Sequence, residues 1–566
     1  MRALVALVIL IGCGHSKPDG SAGVDSGSTQ SPDASTMTGA LCQTGSSSAS
    51  GGGAQITLDV DVAQGPLQQQ LTGSAVQQAS PIVVSDYLYG INNYPENNYY
   101  LNYAKTQFGM MRWGGDSYSD WNWTNNDDNG GRDNGYTNTN QFMPYSYGSD
   151  PQDPSYHGSP HDTNQVGALV DGYDSVPATQ LRGAASLVTV SVQDYVAANA
   201  DDMAVTYAPS ADFGSNTPAN QRAFVTHMAM STGAPIFYEL DNEPNYWQGT
   251  HPEVFGTADL SFDELVSRDS AYAMAVKSAA PNALVFAPVV AGIDGMTSLD
   301  DYSNLASSNP YAATGIDAIS YYLAHIAKGL VDVLDLHYYN DSKDKTGTAK
   351  ASDDCVQGAR DFWDPTYSTV DTTFDDYITG WKPRVIIPRM ESAIAASAPG
   401  TKLAFTEYNN GCEQTIAGGV AEADTLGVFG QYGVFAATAW PLQSVAAGTN
   451  WLVGAFGAYR NYDSTGATVG TLAISATSSD VTQVSVYAFV HQGTTPGIEV
   501  VAINRTGAAV SIELRLSNAC AVTTARVFQL TSASAAMASA GADLAIAGNA
   551  TAYTLPPTSV TTFELR

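Results

Sequence analysis

Between residues 86 and 455 the chain alternates short apolar runs with stretches of helical period, and this limits its fold more than any other feature. Eight runs are rich in β-branched or aromatic residues: Tyr87–Asn92, Gly109–Gly114, Leu187–Val192, Ile236–Glu243, Leu284–Val289, Val333–Tyr339, Leu403–Asn409 and Val434–Pro441. Helical stretches at 217–231, 261–280, 386–397 and 418–432 lie between several of them. Ser261 followed by Glu264 is a capping-box signature that opens the second of these. Strands alternating with helices imply a parallel sheet, and eight repeats imply an α/β architecture closed as a (β/α)8 TIM barrel.

Polar residues of catalytic type end these runs: Arg112, Asn242-Glu243, His337, Tyr339, Glu407 and Trp440. In barrels of this kind the active site is built at the carboxyl ends of the strands. The segment 116–165 is rich in Asn, Asp, Gly and Tyr and reads as a large loop over the site. After about residue 456, runs such as Val481–Val490 and Val510–Leu516 are separated by Gly, Asn and Ser with weak helical period, the texture of an antiparallel β-sandwich. The organisation expected is 1–12 leader, 13–54 linker, 55–85 strand or strands joining the sandwich, 86–455 barrel and 456–566 sandwich.

A formal net charge of −32 repels phosphate backbones, so nucleic acid is excluded as a partner. Charged residues make up only 14 % of the chain, and the polar surface must come from Asn, Ser, Thr, Gly and 31 Tyr, which suits neutral, hydroxyl-rich ligands.

The apolar stretch Ala3–Ile11 is too short to span a bilayer and reads as a secretory signal. Leu10-Ile11-Gly12-Cys13 resembles a bacterial lipobox, which implies cleavage before Cys13 and a lipid anchor on its sulfur. By the same analogy, Gly14 points to the outer membrane or cell surface, with plain secretion as the alternative. Residues 14–54 are mostly Gly, Ser and Thr without an aromatic, a flexible tether. Cys42, Cys355, Cys412 and Cys520 remain, with three possible pairings. They lack CxxC spacing, and Cys412 fits a structural bridge better than a reactive thiol.

Two strand ends carry the chemistry. Tyr238-Glu-Leu-Asp-Asn-Glu-Pro244 closes the fourth run and Leu403-Ala-Phe-Thr-Glu-Tyr-Asn409 the seventh, each turning a carboxylate to the barrel mouth. Hydrolysis of a glycosidic bond needs two carboxyl groups flanking it, one to protonate the leaving oxygen and one to attack the sugar carbon or activate water. An Asn beside the acid can hold a sugar 2-hydroxyl, a contact that strengthens in the transition state.

With these residues the chain resembles clan A of the glycoside hydrolases, and within it glycoside hydrolase family 44, the endoglucanases and xyloglucanases. The segments that carry the likeness are Arg112-Trp-Gly-Gly, Leu240-Asp-Asn-Glu-Pro-Asn-Tyr-Trp247 with Thr250-His-Pro252, Leu334-Asp-Leu-His-Tyr-Tyr339 and Thr406-Glu-Tyr-Asn409. The resemblance implies retaining hydrolysis of a β-1,4-glucan, with Glu243 as acid/base and Glu407 as nucleophile. It requires no cofactor and allows a structural calcium whose ligands are unknown. Asp116 stands where the family leads one to expect Asn.

Arg112 is expected to support a catalytic carboxylate, Tyr339 to donate to the nucleophile, His337 to bind a sugar hydroxyl and Trp440 to face the reacting sugar. Tyr246 and Trp247 are candidates for lining the cleft. The partner expected is a β-glucan polysaccharide, met by a monomer whose contact with membrane is through the lipid anchor alone. Rival readings are another clan A specificity, xylanase or mannanase, and a non-catalytic glycan-binding lipoprotein.

Overall fold

The computed structural model describes residues 56–92, 108–125, 127–139, 184–201, 203–229, 235–299, 314–340, 352–368, 381–442, 449–492 and 497–566. The leader, Cys13, Cys42, the tether and most of the Asn/Asp/Gly/Tyr-rich segment lie outside them.

Eight parallel strands close into a barrel in chain order: Gly90–Asn92, Met110–Trp113, Ala185–Val190, Ile236–Leu240, Val285–Ala291, Val333–Tyr339, Lys402–Asn409 and Ala436–Ala439. Gly90 pairs with Met110 on one side and Thr438 on the other, which completes the ring. Each strand falls within or beside one of the eight apolar runs, because a strand covered on both faces is mostly apolar.

Period-two alternation divides the barrel interior into layers. Met110, Leu187, Phe237, Val333 and Ala404 belong to one apolar cluster. Two residues further along the same strands stand Arg112, Thr189, Glu239, Asp335 and Thr406, all buried. The interior thus changes from apolar to polar within one side-chain repeat, toward the ends that carry Glu243 and Glu407.

The helices form where capping and period predict. Phe262–Ala279 is capped by Ser261, whose Oγ accepts from the Glu264 N–H at 3.1 Å. Pro218–Met228 opens with Pro in its first turn and Thr217 as its cap. Ile416–Tyr432, after the seventh strand, is buried on nearly every face. It packs against the C-terminal sheet, where Asp424 accepts from Ser485 Oγ at 2.6 Å, Tyr487 OH at 2.7 Å and Arg505 Nε at 2.9 Å. Its Gly427 admits the Tyr487 ring where any Cβ would collide with it. The element behind the nucleophile candidate is therefore fixed from both sides.

Eleven strands hydrogen-bond into the second sheet, which encloses its own apolar cluster. Most pairings are antiparallel. Ile56–Asp61 is the departure from the expected antiparallel arrangement, because it lies antiparallel to Leu472–Ser478 but parallel to Val510–Ser517. A strand arriving from far away in sequence is bound by no hairpin turn and can enter in either direction. Cys355 and Cys412, which follow the sixth and seventh barrel strands, are joined in a disulfide. Of the segment expected to form a loop over the site, residues 116–125 and 127–139 are described, and Asp116 accepts from Asn242 Nδ2 at 2.8 Å. These residues fold into a short helix at Asp116–Ser119 and a small ribbon, Asp128–Asn129 with Asn138–Thr139, and Asp120, Asp128, Asn129 and Asn138 are buried.

Candidate active site

Arg112 organises the polar layer. Its Nε donates to Glu239 Oε2 at 2.7 Å, Nη1 to Glu407 Oε1 at 2.6 Å and Asn92 Oδ1 at 3.0 Å, and Nη2 to Asn242 Oδ1 at 2.8 Å. Burial opposes its charge, but Glu239 and Glu407 beside it outweigh burial and hold the guanidinium above its ordinary value. A planar fork with five donors can serve four residues at once, which an ammonium cannot. Gly114 is obligatory behind it, since a Cβ there would strike the guanidinium and Glu239.

Glu407 reaches the site through an irregularity. Leu336 pairs with Phe405 but His337 with Glu407, so Thr406 is an extra residue in the seventh strand. Such a bulge lets two successive side chains face the same way. Thr406 Oγ1 bonds Asp335 at 2.8 Å and His337 Nε2 at 3.2 Å, while Glu407 meets Arg112 and accepts from Tyr339 OH at 2.6 Å.

Glu243 is set by a strained turn. Asp241 at φ 65° and Glu243 at φ 41° both occupy the left-handed region, which costs energy in a residue with a Cβ. The turn is held by Asp241, whose carboxylate accepts from the Val192 N–H at 2.6 Å and the Asn242 N–H at 2.9 Å. The Glu243 N–H donates to Val289 O at 3.1 Å. Its Oε1 lies 3.0 Å from His337 Nδ1. Burial is the largest effect on His337 and, against the opposing pull of Glu407, lowers its pKa to about 3, which favours the neutral imidazole near neutral pH. Carboxyl oxygens of Glu243 and Glu407 and a ring nitrogen of His337 all lie within 4.8 Å of one another.

The structure brings Arg112, Asn242, Glu243, His337, Tyr339 and Glu407 together. Trp440 lies over Gly115 at the barrel mouth and donates its backbone N–H to Tyr408 O. Trp247 lies apart from an open cleft: it is fully buried, packs on Phe255, and its indole N–H donates to Asn242 O at 2.9 Å. Tyr246 is half-buried, with its hydroxyl 3.3 Å from Asp294. Glu239, Thr189, Asp335 and Asn92 complete the site without having been singled out from sequence. Their one signal was position, two residues before or beside an inward-facing partner.

Besides the site cluster, one other group of three metal-type ligands converges among the described residues, Asp120, His251 and Glu253. Neither group is the all-oxygen set of six to eight ligands that calcium takes.

The sequence profile of glycoside hydrolase family 44 matches residues 214–342, which include the fourth strand and Glu243. Endoglucanase A of Paenibacillus lautus is 30 % identical over 493 residues, covering 79 % of this chain and 67 % of that protein. The chain belongs to glycoside hydrolase family 44. A β-mannanase/endoglucanase A of Caldicellulosiruptor saccharolyticus is 28 % identical over 470 residues, 75 % of this chain but 33 % of that longer protein. Among solved structures, a Paenibacillus polymyxa xyloglucanase of family 44 superposes with a TM-score of 0.75 at 27 % identity, covering 90 % of this chain and 99 % of its own. The family 44 member is thus a glycoside hydrolase with the barrel and companion sheet of its relatives.

Proposed function

We propose that this family 44 enzyme is an endo-acting hydrolase of β-1,4-glucan backbones, xyloglucan or cellulose among them, working with retention through Glu243 and Glu407. The observation that carries this is the approach of their carboxyl oxygens within 4.8 Å at the carboxyl ends of the strands. Retaining enzymes hold their carboxyl groups about 5–5.5 Å apart, inverting ones about 6.5–9.5 Å to admit a water.

Glu407 attacks the anomeric carbon as the bond to the leaving sugar breaks, and Glu243 gives that sugar's oxygen a proton. Water, losing its proton to Glu243, then attacks the same carbon and releases Glu407. Arg112 and Tyr339 orient the two oxygens of Glu407 for attack along one line. His337, neutral and hydrogen-bonded to Glu243, holds the acid without adding a charge that would compete for the proton. Asn242 reaches for the sugar 2-hydroxyl, and Trp440 supplies an apolar face at the mouth. No cofactor enters either step.

The test is reducing-end release from xyloglucan, carboxymethylcellulose, xylan and mannan. Glu243→Gln and Glu407→Gln are each expected to lower kcat/KM by about a hundredfold or more with folding intact, as for groups acting in the transition state. The β-anomer as first product, read by proton NMR, supports retention, and the α-anomer overturns it. A preference for mannan would instead favour a specificity like that in the name of the Caldicellulosiruptor relative.

Among the described residues no helix is long and apolar enough to cross a membrane. The reading of an exported protein tethered by lipidated Cys13 rests on the sequence of residues 1–54. Loss of labelled palmitate incorporation in Cys13→Ala is its test, and retention of label in that variant counts against it.

A further inference from the structure

We propose that Asp120, His251 and Glu253 bind one zinc-class divalent cation, which ties the segment after the acid/base strand to the segment after the second strand. The three side chains are 0–1 % exposed, and their ligand atoms lie within 4.8 Å of one another. His251 Nδ1 stands 3.1 Å from Glu253 Oε1 and 3.9 Å from Asp120 Oδ2. Tetrahedral zinc with bonds of about 2.0–2.2 Å places neighbouring ligand atoms roughly 3.3–3.5 Å apart, between those two values.

Each carboxylate keeps a buried oxygen without a hydrogen-bond partner, Asp120 Oδ2 and Glu253 Oε2. A buried polar atom left in that state is costly unless something compensates it. Charge gives the same answer. Two ionised carboxylates beside a neutral imidazole, the state in which all three can ligate a metal, carry −2 in a dry pocket. A divalent cation offsets the charge of these two carboxylates. Asp128, also buried, acts on Asp120 with the same sign as Glu253. One imidazole with two carboxylates suits zinc and its transition-metal neighbours, whereas calcium and magnesium prefer oxygens alone.

The position gives the ion a task. Asp120 follows the short helix Asp116–Ser119, and its Oδ1 already accepts from the Asn129 N–H at 3.1 Å. His251 and Glu253 follow the turn Trp247–Thr250, whose Trp247 holds Asn242 O. The cation would brace the turn that carries Asn242 and Glu243 without touching the reacting atoms.

The experiment loads the full chain with zinc after chelator treatment, removes free metal by gel filtration, and measures metal by mass spectrometry and the melting temperature. About one zinc per chain is expected in the parent and in Glu407→Gln, which dismantles the other ligand cluster. Glu253→Gln and Asp120→Asn are expected to bind at least tenfold more weakly, and zinc should no longer raise their Tm. Should either variant fail to fold, cobalt titration of the parent decides. Visible bands of four-coordinate cobalt that persist in Glu407→Gln support the site. No retained zinc with an unchanged Tm, or zinc lost in Glu407→Gln alone, overturns the proposal.

Discussion

Asn242 is gripped at both ends of its amide. Oδ1 accepts from Arg112, and Nδ2 donates to Asp116 Oδ1 at 2.8 Å. One N–H remains to point at a substrate hydroxyl. Asp116 therefore sets the direction of that N–H, though it lies 126 residues away in sequence. Burial, the largest effect, together with nearby Glu243, pushes the Asp116 carboxyl up to about 7 against the opposing pull of His251. Asp116→Ala leaves the amide free to turn and is expected to lower kcat roughly tenfold with a small change in KM, because misplaced contacts act on the transition state. Asp116→Asn keeps an acceptor and is expected to restore most of that loss while altering the pH–rate profile between pH 6 and 8. Steady-state kinetics on soluble xyloglucan oligosaccharides across that range distinguish the two.

Helix 262–279 draws its start from one hydroxyl. Ser261→Ala removes the acceptor for the Glu264 N–H and is expected to cost about 1 kcal/mol in urea denaturation with activity unchanged. Elements of this kind were legible in the sequence because their signals are local: a cap three residues before a Glu, a buried strand that is mostly apolar. The strand ends were legible too, since Glu243, Glu407, Arg112, His337 and Tyr339 each close an apolar run, and the structure gathers all five. Glu239 and Asp335 were hidden because a single inward acid inside an apolar strand leaves no periodic trace. The bulge at Thr406 was hidden because an extra residue shows itself in pairing, and pairing is not written along one strand. The parallel entry of Ile56–Asp61 and the convergence of Asp120 with His251 and Glu253 depend on partners more than a hundred residues away.

The whole molecule buries acids that titrate late. Burial, ahead of every other effect, raises Asp241 to about 6, Glu391 to about 7 and Glu422 to about 8. The folded state therefore holds these protons at a pH where the unfolded chain has released them, and stability falls as pH rises through each folded pKa. His337 has the opposite sign: its folded pKa is depressed, so its contribution grows up to about pH 6.5 and then stays level. Above that pH Glu391 and Glu422 act without that opposition, and a net charge of −32 adds self-repulsion. Tm is expected to fall steadily from pH 6.5 to 8.5, a trend that calorimetry at fixed ionic strength would follow; a flat or rising profile would contradict it. Size and topology also set an order of events. Ile56–Asp61 sits inside the C-terminal sheet, between strands that begin at Leu472 and Val510. During synthesis this segment emerges early and must wait, unpaired, while more than four hundred further residues are made. The barrel can begin to assemble in that interval, but Ile56–Asp61 gains both of its neighbours only after Val510–Ser517 has been made. A product that stops short of Val510 thus keeps an open strand edge, which is a template for pairing with another chain.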